Sequence, residues 1–506
     1  MNRDGANKSI WQTVKETNST NALTSQKVFD VIVIGAGITG LSTAINLQEM
    51  GKDCIVIEAA NIAFGTTGGT TAHLNTFFDS PYNQVIDNFG KDNAILFAEG
   101  GKEAIAEIKS NVTKYNIDCA FEERTGYIFS VEQEQNKTLT NLVESAQEVG
   151  LPIDFINDNP FPIPYLKIAA IENQAEINPT EYVYGLAKAF QNAGGLIVES
   201  CRATAIDEAE ILTIHTNAGD IMARNAVYAT HVPPGVNILH FRNAPYRSYA
   251  LAFTLKTGVY PKALGYDMCE PYHYYRSQVL NGKEYIIAGG EDHKTGHEEN
   301  TEHCFRKLES YLRRHFDIDE VAFKWSSQFY ESADGLPYIG HLPGNRENIY
   351  CATGFNGNGI TLGSLSGIIL TDLIVTGDSK YKDLFRPGRV KPVAGFLNFV
   401  KESADVVKHF IGDKLGTEKI KSLAELAPGE ARVIKFEGHT LALYRDENQT
   451  LHAVNSACTH IKCTVGWNNT EKTWDCPCHG SRFSYDGTVL TSPARADLEK
   501  LNLADL

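Results

Sequence analysis

The chain has no excess of positive charge: 46 Lys and Arg stand against 62 Asp and Glu, a formal net charge of −16 over 506 residues. That balance argues against a nucleic-acid partner, whose phosphates require a basic face. It argues equally against bulk electrostatic docking on an anionic membrane. Long apolar runs are missing too; the best candidate for a span, from Cys351 to Leu370, is interrupted repeatedly by glycine, so no membrane span is expected. The opening MNRDGANKSIWQTVKETNST contains neither an apolar core nor a small-residue cleavage site, which predicts no secretory signal and a cytoplasmic address. Cysteine is scarce, ten in 506, too few for a disulfide scaffold. What is present in quantity is core-forming: 42% apolar residues with 22 Tyr and 24 Phe. At ~150 residues per domain the length predicts more than one domain.

The cysteines are informative by position rather than number. Six are scattered, whereas Cys458, Cys463, Cys476 and Cys478 crowd together near the C-terminus, a pattern of metal or redox chemistry. The chain divides by texture. Residues 1–27 read as a polar arm, 28–385 as a mixed α/β body and 386–420 as a basic, Pro-bearing link with an amphipathic helix over 396–415. Residues 421–506 read as a small all-β unit of short alternating strands and tight turns.

From Val28 the sequence VFDVIVIGAGITGLSTAINLQEMGKDCIVIEAA is one βαβ unit. Gly35, Gly37 and Gly40 follow an apolar strand and open an apolar helix, and Glu58 ends the next strand. The first glycine makes the tight turn, the second admits a pyrophosphate and the third lets helix pack on strand. The helix N-terminus offers free N–H groups to phosphates, and Glu58 is placed to bond the adenosine ribose. A second such fingerprint, expected of a pyridine-nucleotide reductase, is not found; the run Gly357–Gly363 has one residue too many. A single N-terminal site favours FAD as the fixed cofactor.

The body then carries FGTTGGTTAHLNT, a late IIAGG turn and DGLPYIG followed by ATGFNGNGITLG. In that order these segments resemble the D-amino-acid oxidase-like FAD-dependent oxidoreductases of the glycine and sarcosine oxidase type. The resemblance implies an FAD-binding Rossmann-type domain interleaved with an antiparallel-sheet substrate domain. It places Thr66 and Thr67 on the phosphate and flavin side. It also places Gly354, Asn356, Gly359 and Thr361, at the start of a final helix, near the pyrimidine end of the flavin, where a helix N-terminus stabilises negative charge. Along Tyr272-His273-Tyr274-Tyr275-Arg276, alternation sets Tyr272, Tyr274 and Arg276 on one face and His273 and Tyr275 on the other. The resemblance makes Arg276 the candidate for gripping a substrate carboxylate, with a sheet-surface ion pair as the other reading. His73 is either a flavin contact or a hydrogen-bonded structural histidine. Cys269 lies near the strand from which some family members attach flavin covalently. The segment Glu291–His297 is metal-capable but lacks the spacing of a mononuclear iron site, and reads as a solvated loop.

The C-terminal unit carries Cys458-Thr459-His460 and Cys476-Pro477-Cys478-His479, a C-x-H…C-x-x-H set on two short pairs. Zinc also takes Cys₂His₂ ligands, but zinc-finger spacing differs. The stretch resembles a Rieske [2Fe–2S] domain. The resemblance implies Cys458 and Cys476 on one iron and His460 and His479 on the other, with Cys463 and Cys478 bridged as a clamp. Mixed ligands leave the oxidised core less negative than four thiolates do and raise its potential. Ser481 matches the family serine that bonds a cluster sulfur, while Phe483 stands where high-potential members carry Tyr, so an intermediate potential is expected. The fusion as a whole predicts oxidation of an amine or amino-acid-like substrate by FAD, with electrons passing to the cluster and an external carrier. The alternatives are a reductase running the other way and a non-catalytic redox carrier or sensor.

Overall fold

The computed structural model describes residues 4–13, 27–298, 300–389, 426–436 and 439–502. The apolar strand β1 (Val28–Ile34), the helix α1 (Ile38–Glu49) and the strand β2 (Cys54–Ile57) form the expected unit. β1 lies at the centre of an eight-stranded sheet, parallel to β2 on one side and to Gly219–Tyr228 on the other. Helices cover it, which is why β1 and β2 are apolar on both faces rather than alternating. The helix Gly359–Thr376 packs on α1 at close range. A Cβ on Gly363 would meet Thr39 Oγ1 at 2.8 Å and one on Gly367 would meet Ser42 Cβ at 2.9 Å, so these glycines serve backbone approach. This helix is long and apolar enough to cross a membrane, but 67% of it is buried inside the fold.

A second, nine-stranded and largely antiparallel sheet runs from Ile318–Ser332 through Asn243–Leu255, Lys283–Lys294 and Tyr274–Leu280 to Glu122–Ser130 and Lys167–Glu176. Its strands are drawn from segments far apart in sequence, which interleaves the two parts of the body. Two small antiparallel sheets of three and four strands make up the all-β unit after residue 426. The architecture is that expected: an α/β Rossmann-type part, an antiparallel-sheet part and an all-β C-terminal unit.

One local reading changes. The segment Glu291–Lys294 is not a solvated loop but the end of the strand Lys283–Lys294, half-buried and paired with Asn243–Leu255. The pull is tertiary: Tyr249 Oη bonds His293 Nε2 at 2.8 Å. The described part of the N-terminal arm packs against the body. Trp11 is fully buried and donates from Nε1 to the Thr70 carbonyl at 2.6 Å. The amphipathic helix read over 396–415 lies outside the described residues. The segment leading to it is anchored, since Arg389 forks onto Asp334 at 2.8 and 2.7 Å.

Candidate active site and iron–sulfur centre

A cavity of about 490 Å³ opens at the C-terminal ends of the parallel strands and runs under the antiparallel sheet. Of the residues expected to hold the nucleotide, Gly35, Gly37, Glu58, Thr66, Thr67, Asn356 and Gly359 line it. Gly40, Gly354 and Thr361 do not; they stand behind the wall. Gly35 has φ +111°, and a Cβ there would strike the Ala229 carbonyl oxygen at 2.6 Å. A Cβ on Gly40 would fall 1.9 Å from the Gly35 carbonyl oxygen, so its absence lets α1 sit against the turn. Gly354 turns the chain at φ +76°, and Thr361 is fully buried with no partner for its hydroxyl among the described residues.

The cradle fits a dinucleotide. Space is open beyond Gly359 at the start of the final helix. Glu58 accepts from the backbone N–H groups of Ala36 (2.8 Å) and Ala60 (3.0 Å), which fixes its carboxylate at the turn. Burial pushes its pKa up, against the pull of those donors. Thr67 Oγ1 accepts from the Ile38 N–H at 3.2 Å, and Asn356 is pinned by the Ser332 N–H at 3.0 Å.

At the far end the walls are Phe77, Asp79, Ser248, Tyr266, Tyr272, Tyr274 and Asp292. His73 lines the cavity as well, with Nδ1 bonded to Tyr266 Oη at 2.7 Å and Nε2 without a partner among the described residues. Burial drives its pKa far down, so the ring is neutral.

Arg276 is placed elsewhere. It is fully buried, outside the cavity lining, and donates to the carbonyls of Thr71 (3.1 Å), Ala72 (2.8 Å) and Ile177 (3.1 Å) beside the Glu176 carboxylate. Its guanidinium holds the loop that carries His73. The alternation along this segment is as read: His273 and Tyr275 both bond Asp267, on the opposite face. Cys269 sits with that Asp267–His273 pair rather than in the cavity wall.

In the C-terminal unit Cys458, Cys476 and His479 are buried and His460 is half-buried. Cys463 and Cys478 form a disulfide. Cys476 Sγ lies within 4.8 Å of both of its sulfurs. The donor set fits a mixed-ligand cluster. His460 Nδ1 and both ring nitrogens of His479 are buried without partners among the described residues, while His460 Nε2 bonds the Gly235 carbonyl at 3.1 Å and so fixes the ring. Burial pushes His460 down to about 4 and His479 to about 2, leaving the neutral imidazoles that metal ligation needs. The Cys458 and Cys476 thiols act on each other, which holds the first below its ordinary value and pushes the second above it, and Ser481 adds to the lowering of Cys458.

The two sites adjoin. Tyr330 lines the cavity, and its hydroxyl lies 3.3 Å from the His479 carbonyl oxygen. Gln328, two residues earlier on the same strand, donates to the Gly480 carbonyl at 2.8 Å. His231, also in the cavity wall, stands edge-on to Tyr330 with ring centroids 4.7 Å apart and bonds Thr66 Oγ1 through Nδ1 at 3.2 Å. On the other side His240 packs 4.7 Å from His460 and 5.8 Å from His479, and Phe241 packs 5.2 Å from His479. Thr491, Ser492 and Arg495 of the C-terminal unit themselves line the cavity. His231, His240, Tyr330 and Asp79 were not singled out from the sequence, since none belongs to a spaced motif, and Asp292 was read only as part of the metal-capable loop Glu291–His297.

The FAD dependent oxidoreductase family matches residues 30–373 and the Rieske [2Fe-2S] domain matches residues 417–502. The chain belongs to the FAD-dependent oxidoreductase family. It is a flavoprotein oxidoreductase carrying a Rieske domain, with FAD and a [2Fe–2S] cluster as its cofactors. A Bacillus subtilis protein named for a Rieske 2Fe-2S centre, YhfW, is 32% identical over 98% of both chains. Gamma-glutamylputrescine oxidoreductase of Escherichia coli is 25% identical over 70% of this chain and 85% of its own. The crystal structure of glycine oxidase from Geobacillus kaustophilus superposes with TM-score 0.60 at 16% identity, over 72% of this chain and 99% of that one, and shares the fold.

Proposed function

We propose that this oxidoreductase removes electrons from a C–N bond of an amine or amino-acid-like substrate at the far end of the cavity and delivers them through the Rieske domain to an external carrier. When bound, FAD supplies the two-electron acceptor and the cluster the one-electron relay. Gly35, Gly37, Glu58, Thr66, Thr67, Asn356 and Gly359 would hold the nucleotide and flavin, with Gly40, Gly354 and Thr361 shaping the turn and helix behind them. Cys458, His460, Cys476 and His479 would hold the cluster. In such chemistry the cofactors do the hard step and the protein supplies orientation and electrostatics.

The observation that carries the reading is the junction at Tyr330: one side chain lines the cavity and reaches the backbone of His479. The imidazole side of the cluster site faces the flavoprotein body through Gly235, His240 and Phe241. A simple oxidase that gives its electrons to oxygen has no use for such a contact. Amine oxidation is favoured by the likeness to an oxidoreductase named for gamma-glutamylputrescine.

Anaerobic stopped-flow mixing of the holoprotein with a panel of amines and amino acids tests it. The expected result is bleaching of the flavin followed by bleaching of the cluster within the same molecule. Flavin reduction with the cluster left oxidised would sink the relay, and bleaching only by NADH or reduced ferredoxin would reverse its direction.

A further inference from the structure

The substrate end of the cavity is acidic and aromatic, and it is short of cations. Asp79 and Asp292 both line it, one from the loop after His73 and one from the strand Lys283–Lys294. Asp292 Oδ1 is out of reach of solvent and has no hydrogen-bond partner among the described residues. Among the described residues the Asp79 carboxylate is engaged by backbone alone, with Oδ2 accepting from the Gly357 N–H at 2.6 Å. Burial, with Asp79 and Glu291 nearby, pushes the Asp292 carboxyl up to about 7, although Ser248 and His273 oppose the shift. A buried carboxylate lacking a counter-charge is a costly arrangement that an incoming cation relieves.

The cations of the cavity wall lie elsewhere. Arg202 follows Cys201, whose N–H bonds the Glu58 carbonyl, so it belongs to the nucleotide end. Arg495 is spent on the Pro234 carbonyl at 2.9 Å. His273 is the cation felt by Asp292, but it is bonded to Asp267 at 2.9 Å and stacked on Tyr311. No lysine is among the described lining residues, and Arg276, the expected carboxylate grip, is buried behind the wall. Facing the two carboxylates are Tyr272 and Tyr274, with ring centroids 5.8 Å apart, and Tyr274 is held by Ser248 Oγ at 2.7 Å.

We infer that the site takes a cationic amine without a carboxylate, its ammonium group held by Asp79 and Asp292 against the rings of Tyr272 and Tyr274. The inference rests on the C–N oxidation reading above and narrows its substrate class. Charge-assisted hydrogen bonds to the carboxylates and attraction to the ring faces both favour an ammonium. A substrate carboxylate at the same place would meet two carboxyl groups and, among the described lining residues at that end, no arginine or lysine.

The test is a titration of the oxidised, FAD-loaded protein with tetramethylammonium chloride, n-butylamine and norvaline, read as perturbation of the flavin absorption band. Norvaline differs from n-butylamine only by its carboxylate. Both cations should bind saturably and norvaline at least ten-fold more weakly. Asp292→Asn and Asp79→Asn should each raise the Kd for tetramethylammonium at least ten-fold while FAD content stays at wild-type level. Norvaline binding more tightly than n-butylamine, or an unchanged cation Kd in both variants, would overturn the assignment. Aspartate-dependent cation binding with no amine able to reduce the flavin anaerobically would uphold it and discard the oxidation reading instead.

Discussion

Phe483 lies fully buried in the short strand Arg482–Ser484, its backbone paired with Trp474, in the same apolar cluster as Cys458 and Cys476. A phenyl ring there gives no hydrogen bond to a ligand sulfur. Phe483→Tyr would add one, stabilising the more negative reduced state. At about 1 kcal/mol per hydrogen bond the one-electron potential should rise by roughly 40 mV, measured by redox titration of the cluster signal; an unchanged or lowered potential counts against the placement. Single residues of this kind were legible because fixed local spacing carries them: Cys458 to His479 sit on two short pairs, and Gly35 to Gly40 on one turn. Arg276 was not. Its face on the strand was readable, since alternation puts it with Tyr274. How far the cavity extends along that face depends on Thr71, Ala72 and Ile177, which bring carbonyls to it from remote parts of the chain.

Among the elements, the long apolar segments declared themselves, because helices and parallel strands impose their own periodicity on the sequence. The last four residues of the strand Lys283–Lys294 did not, because they are polar and, among the described residues, pair through the bulged ladder to Asn243–Leu255. That misreading hid Asp292. The two hairpin loops of the cluster site are tied by the Cys463–Cys478 bridge, whose ends are 15 residues apart in sequence. Closing a loop of that length restricts the unfolded chain by about 3 kcal/mol. The double variant Cys463→Ala/Cys478→Ala should lose stability on that order, seen as earlier thermal bleaching of the cluster absorption, while the flavin band persists to its usual temperature. Simultaneous loss of both bands would mean that the bridge supports the whole chain rather than the loops.

The modules of the molecule are joined by buried charge. Arg482 in the C-terminal unit pairs with Asp475 at 3.1 Å and with Asp4 of the N-terminal arm at 2.7 Å, and Arg247 of the body stands 3.6 Å from Asp475. Glu471 accepts from Ser326 N–H and Oγ at 3.0 and 2.7 Å, and from the Asn7 N–H at 3.2 Å. The described part of the arm thus reaches a unit more than 400 residues away in sequence while it also bonds the body at Thr70. Spacing could not reveal that, although Ile10 and Trp11 are both fully buried. Burial would raise the Asp475 pKa, but Arg482 and Arg247 outweigh it and hold the carboxyl below its ordinary value. The folded-state pKa is therefore depressed. The stability it contributes is complete above the unfolded value of about 3.9 and drains away as pH falls through the folded one. Arg482→Met would leave Asp4 and Asp475 buried without their shared partner, a loss of about 3–5 kcal/mol. Denaturation of the holoprotein at pH 7 should show that loss. The gap to wild type should then narrow as the pH drops below 4, because protonating Asp475 removes the charge that Arg482 serves. A gap that stays constant down to pH 3 would mean that Arg482 acts through packing alone.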